Sequence, residues 1–64
     1  MKFHVPDMSC GHCTAAITKE IKASDPNAAV ETDLTTRTVA VTSTRSDAAM
    51  IAAIKAAGYD ATPA

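Results

Sequence analysis

Aromatic side chains are nearly missing from this sequence: of 64 residues one is Phe, one is Tyr and none is Trp. RNA-binding sheets stack bases on several exposed rings, so two rings argue against a nucleic-acid surface. An excess of one charge is missing as well. Six Lys and Arg stand against seven Asp and Glu, a net charge of -1, whereas a nucleic-acid footprint shows clustered positive charge. No apolar run approaches the roughly 18 residues of a membrane span. The opening stretch Met1 to Pro6 carries Lys2 and His4 with no hydrophobic segment behind it, so no secretory signal is readable and a cytoplasmic location is expected. Length excludes more. A chain this short buries only about 60% of its unfolded surface, which leaves room for one domain, residues 1–64, whose apolar side chains nearly all serve the core.

What is present reads as six short elements. Phe3 and Val5 alternate with Lys2 and His4, a half-buried strand that Pro6 ends. From Gly11 to Ala23 the apolar residues Cys13, Ala16, Ile17 and Ile21 recur at three- and four-residue steps, an amphipathic helix with Lys19, Glu20 and Lys22 toward water. Ser24, Asp25, Pro26 and Asn27 break it. Ala28, Val30, Thr32 and Leu34 then alternate with polar or small neighbours, Thr35 and Thr36 interrupt, and Val39 and Val41 resume: a strand, a tight turn and a strand. Ser46 and Asp47 start a second helix, on which Met50, Ile51, Ile54 and Ala57 form one stripe and which Gly58 caps. Tyr59 to Thr62 reads as a last strand and Thr62 to Ala64 as a frayed tail.

Strand, helix, strand, strand, helix, strand is the α+β, ferredoxin-like βαββαβ plan, a four-stranded antiparallel sheet with both helices on one face. Right-handed crossovers place the first and third strands at its centre. The expected core is Phe3, Val5, Ile17, Ile21, Val30, Leu34, Val39, Val41, Met50, Ile51 and Ile54.

Two cysteines carry most of the functional information. Cys10 and Cys13 stand three positions apart where the first loop enters the first helix, so both sulfurs can point to one spot at the positive end of the helix dipole. Unpaired N–H groups there lower a thiol pKa from about 8.5 toward neutrality, and the thiolate is the form that binds metal. Two thiolates are too few for a closed four-coordinate zinc site but suit a soft monovalent ion such as Cu(I). Such an ion stays open to attack by a thiolate of another protein, so the geometry that binds it also lets it be handed on.

Met8-Ser9-Cys10-Gly11-His12-Cys13, on the loop before the first helix, resembles the Met-x-Cys-x-x-Cys motif of heavy-metal-associated domains. Tyr59 just after the Gly58 cap makes the chain similar to their bacterial copper chaperones of the CopZ type. The resemblance implies that Cys10 and Cys13 bind Cu(I) and that Met8 packs under the loop without ligating. It implies a partner too: the N-terminal metal-binding domain of a copper-transporting P-type ATPase, or a copper-responsive regulator. The sequence departs from the family at Asp7, where Gly usually precedes the Met, and a carboxylate there would disfavour thiolate formation if it lies close.

Around the thiols several residues carry two readings. His12 is a solvated loop residue that tunes the local field, or a third ligand, as in a metal-bridged homodimer. Met8 fills the core beneath the loop, or offers a soft thioether. The Tyr59 hydroxyl screens the thiolates, or the residue only completes the sheet. His4 is an ordinary surface residue, and Lys19 and Lys22 are a solvated face that could meet an acidic partner. The main rival function is a thiol-disulfide oxidoreductase, the one enzymatic reading, because C-x-x-C at a helix start is also the redox arrangement. The chain is shorter than a thioredoxin-like fold requires, lacks a flanking Trp and has no interior Pro in its second half to sit opposite the thiols. A carrier rather than an enzyme is therefore expected. Among ions, Zn(II) wants further ligands and Hg(II) would accept the same two thiolates; the resemblance implies an Asp in the place of Ser9 for a zinc-directed domain and an export signal for a mercury carrier, and neither is present.

Overall fold

The computed structural model describes all residues, 1–64. Its elements are β1 (Lys2–His4), α1 (Gly11–Ser24), β2 (Ala29–Asp33), β3 (Thr38–Thr42), α2 (Asp47–Ala56) and β4 (Thr62–Pro63). Alternation decides which way each strand faces: Phe3, Val39 and Val41 are buried, while Lys2 and His4 lie exposed on the other side. The strands form one antiparallel sheet in the order β2-β3-β1-β4, with Phe3 opposite Val39 at its centre and Val30 opposite Val41 toward the β2 edge. The fold is thus the α+β, ferredoxin-like βαββαβ arrangement that the element order implies. α1 and α2 pack against each other, and Ile17 and Ile21 of α1 and Met50, Ala53 and Ile54 of α2 join the strand residues in one cluster.

Alternate connections lie at opposite ends of such a fold. The β1–α1, β2–β3 and α2–β4 segments share one end, and the α1–β2 and β3–α2 segments the other. At the second end the Ser43 hydroxyl donates to Asp25 Oδ2 at 2.6 Å and the Arg45 Nη1 donates to the Ser24 carbonyl at 3.4 Å, which joins the two connections.

The termination of α2 sets up the first end. Gly58 takes φ +96°, a left-handed residue that glycine adopts without strain. Its N–H bonds the Lys55 carbonyl and that of Tyr59 bonds the Ile54 carbonyl, the paired bonds of a Schellman motif. The Tyr59 side chain is folded back against the core.

The last strand lies further along than expected. The Schellman bonds take up Gly58 and Tyr59, Asp60 and Ala61 pair with no strand, and β4 begins at Thr62, pairing with His4, and Pro63 with Phe3. The tail is not frayed, because the Ala64 N–H bonds the Lys2 carbonyl at 2.9 Å. Pro63, lacking an N–H, is tolerated because β4 is an edge.

Leu34 does not join the core and is 42% exposed. The Asp33 carboxylate accepts from the N–H groups of Thr35 and Thr36, which ends β2 at Asp33 and leaves Leu34 in a turn beside an edge strand. Val30 and Ile51 are half-buried against the core, whereas Met8, Cys13, Ala28 and Ala53 belong to it outright.

Candidate metal centre

Cys10 is the N-cap residue of α1, with extended backbone (φ -153°, ψ 172°) and no side-chain bond to the first turn. A Ser or Asp there would normally accept one of the free N–H groups. α2 shows the difference, for Ser46 Oγ accepts from the Ala49 N–H at 3.2 Å and Asp47 follows in the first turn. α1 has no acidic residue in its first turn, so the partial positive charge of its N-terminus is left to the sulfurs.

Cys13 lies one turn in, held by its N–H to the Cys10 carbonyl at 3.1 Å. The two Sγ atoms are 3.4 Å apart, close enough to share one proton, and are not joined in a disulfide. They differ in setting. Cys10 is exposed, while Cys13 is 8% exposed and part of the hydrophobic core. Cys13, which the expected core left out, thus joins it, and Cys10 does not.

The Cys13 thiol is lowered from 9.0 to about 6. The Tyr59 hydroxyl contributes most, then the Ser9 backbone and the Cys10 side chain, against the opposing effect of burial. The hydroxyl lies near the sulfur without a closed hydrogen bond to it, and the one side-chain partner of Cys13 is Cys10. The relation is mutual, since Cys13 is the main reason that the Tyr59 hydroxyl is raised above 10.0. Tyr59 lies outside β4, so it does not complete the sheet, and its hydroxyl stands near the Cys13 sulfur. The charge of the Asp7 carboxylate adds to this rise of the Tyr59 hydroxyl.

Met8 is fully buried, under the loop that carries Cys10. His12 and His4 are both exposed. No cluster of three or more His, Cys, Asp or Glu side chains exists, so His12 and the two cysteines do not form a ready three-ligand site within one chain. A soft cation offered this end of the molecule meets one buried sulfur and one exposed sulfur, and little else.

The match to the heavy-metal-associated domain spans residues 2–60. The chain belongs to that family. This heavy-metal-associated domain is similar to the copper chaperone Atx1 from Synechocystis PCC6803 in its Cu2 form, at 32% identity over 97% of this chain and 98% of that one, with a TM-score of 0.94. It is similar also to a gold binding protein at 41% identity, covering 95% of this chain and 94% of that one, with a TM-score of 0.91. A third likeness is to an Agrobacterium tumefaciens protein at 43% identity, over 94% of each chain, with a TM-score of 0.87. No curated protein matches this heavy-metal-associated domain. None of its helices is long and apolar enough to cross a membrane.

One residue at this end was not singled out from the sequence. Arg37, just before β3, accepts the Val5 N–H with its carbonyl at 2.8 Å and donates from Nη1 to the Pro6 carbonyl at 2.8 Å. Its signal in sequence is faint, for nothing marks a charged turn residue as reaching across to the loop between β1 and α1.

Proposed function

We propose that this chain is a cytoplasmic copper carrier of the CopZ type, which holds one Cu(I) on Cys10 and Cys13 and passes it on by ligand exchange. The receiving protein is the N-terminal metal-binding domain of a copper-transporting P-type ATPase or a copper-responsive regulator. The observation that carries the reading is the unequal pair: an exposed sulfur and a buried one, 3.4 Å apart, with no third His, Cys, Asp or Glu alongside. Two thiolates satisfy a soft monovalent ion and leave Zn(II) short of ligands. The likeness to a copper chaperone and to a gold binding protein supports a site for soft ions.

The inequality also gives an order to the transfer. With metal–sulfur bonds of about 2.3 Å, sulfurs collinear with an ion stand about 4.6 Å apart, so the 3.4 Å pair must spread by about 1.2 Å. Cys13 is held in the core, and the exposed Cys10 is the sulfur free to move. An incoming thiolate forms a bond to Cu(I) from the open side, the Cys10–copper bond breaks, and Cys10 departs as a thiolate; Cys13 is displaced last. Copper stays cuprous throughout, so no electron acceptor is needed and the protein acts as a carrier rather than an enzyme.

The test is retention of Cu(I) by anaerobic, fully reduced protein against a competing chelator, with the loaded mass read by native mass spectrometry. One copper per chain is expected, lost in both Cys10→Ser and Cys13→Ser. The Cys13 variant alone should also lower the melting temperature, since only that sulfur is in the core. Copper held equally well by either serine variant would refute the assignment.

A further inference from the structure

The loop that delivers Cys10 begins with a tight turn. The Met8 N–H bonds the Val5 carbonyl at 3.0 Å, which makes Val5-Pro6-Asp7-Met8 a β-turn with Pro6 and Asp7 at its centre. Arg37 is the one residue other than glycine with positive φ, so Asp7 has negative φ and the turn is type I rather than type II. Those two forms differ mainly by a flip of the central peptide, here the one between Pro6 and Asp7, and Pro at the second position suits both. The carbonyl of that peptide is the group to which Arg37 Nη1 donates.

Arg37 sits at φ 57°, a left-handed backbone that disfavours any side chain with a Cβ by about 1–2 kcal/mol. A strained residue in a surface turn whose side chain nevertheless reaches 31 positions back in the chain is an observation that asks for a role. Its main chain and side chain together grip consecutive residues, Val5 and Pro6, at the root of the metal loop. The fourth residue of the turn, Met8, is fully buried, and Cys10 follows two positions later.

We infer that Arg37 is a positioning residue for the metal loop: by holding the Pro6 carbonyl it keeps the Val5–Met8 turn in its type I form and so fixes where Cys10 stands relative to Cys13. The inference rests on the carrier reading of the two cysteines. Without the guanidinium the central peptide is free to flip, the Met8 anchor loosens, and the Cys10 sulfur samples positions from which it cannot share an ion with Cys13.

Three variants separate the side-chain bond from the backbone strain. Arg37→Gly removes the guanidinium but relieves the left-handed residue, Arg37→Ala removes the guanidinium and keeps the strain, and Arg37→Lys retains a cation able to reach a carbonyl. Amide exchange at Met8 in the reduced, metal-free protein reads the turn directly, and competition with a chelator reads Cu(I) affinity. Both Gly and Ala variants are expected to accelerate Met8 exchange and weaken Cu(I) binding by about three- to tenfold, the scale of one exposed charge-assisted hydrogen bond, with Lys between them and wild type. Melting temperature should divide the variants differently, with Gly above Ala. Wild-type Met8 exchange and wild-type affinity in Arg37→Gly would overturn the inference, as would affinity losses that merely follow melting temperature across the three variants. Failure of the wild-type protein itself to hold Cu(I) would instead overturn the carrier reading, and it is seen in the control before any variant is made.

Discussion

Met8 decides between packing and ligation, because its sulfur stands two residues from Cys10 and is a donor that Cu(I) accepts. Full burial beneath the loop makes it a core side chain. Truncation to Ala removes three heavy-atom groups at about 0.8 kcal/mol each, roughly 2.4 kcal/mol in transfer alone. The cavity left behind carries the loss toward 3–4 kcal/mol, within the range seen for large-to-small core changes. A chain of 64 residues has about 3–10 kcal/mol of stability in all, so Met8→Ala should be barely folded, with its melting temperature lowered by more than about 10 °C. Met8→Leu keeps the volume, discards the thioether and should cost less than about 1.5 kcal/mol. The assay is thermal and urea unfolding of the reduced apo-protein beside a Cu(I) competition titration of Met8→Leu. Wild-type affinity in Met8→Leu is the expected result. A tenfold or greater loss of affinity there, with stability intact, would refute the packing assignment and make the thioether a ligand.

Tyr59→Phe removes the hydroxyl that does most to lower the Cys13 thiol, so thiolate absorbance should titrate at a pH above the wild-type value of about 6. Because the folded pKa lies below the unfolded one, this ionisation adds no stability under pH 6, adds more as pH rises, and is complete above the ordinary thiol value of about 8.5. Reduced apo-protein unfolded at pH 5.5 and 8.5 should show that rise in wild type and a smaller one in Tyr59→Phe; equal rises would remove the tyrosine from the account. Ser43→Ala takes away the largest influence that lowers the Asp25 carboxyl, with the Asn27 backbone second. The stability this carboxylate contributes is present above the usual aspartate range and lost as pH falls through its lowered folded value. The variant should lose stability near neutral pH and less at pH 2–3, and acid titrations that differ from wild type by a constant amount would contradict the assignment.

The sheet and both helices were legible because period-2 and period-3.6 patterns were each backed by a breaker: Pro6, the Ser24 to Asn27 cluster, and Gly58. Where a side chain rather than spacing ended an element, the pattern misled. Asp33 folds its carboxylate onto Thr35 and Thr36, and alternation alone carried Leu34 one step too far into the core. β4 was placed early because the Schellman bonds of Gly58 and Tyr59 use up residues that look like strand. At the candidate centre the thiol pair was visible from motif and helix start. The difference between its members was half visible, since Cys13 falls on the apolar stripe with Ile17 and Ile21 while Cys10 precedes the helix, but burial follows only once the helix is packed. Arg37 was invisible because its bond spans 31 positions and depends on a left-handed turn residue that sequence does not announce.

The bonds from Ser43 to Asp25 and from Arg45 to Ser24 stitch the two connections remote from the cysteines to each other. The end remote from the cysteines is thus closed by side chains reaching from one connection to the next, whereas at the other end the Cys10 sulfur has no side-chain partner but Cys13. A thiol with so few ties can shift to meet an incoming ion while the base of the molecule keeps its shape.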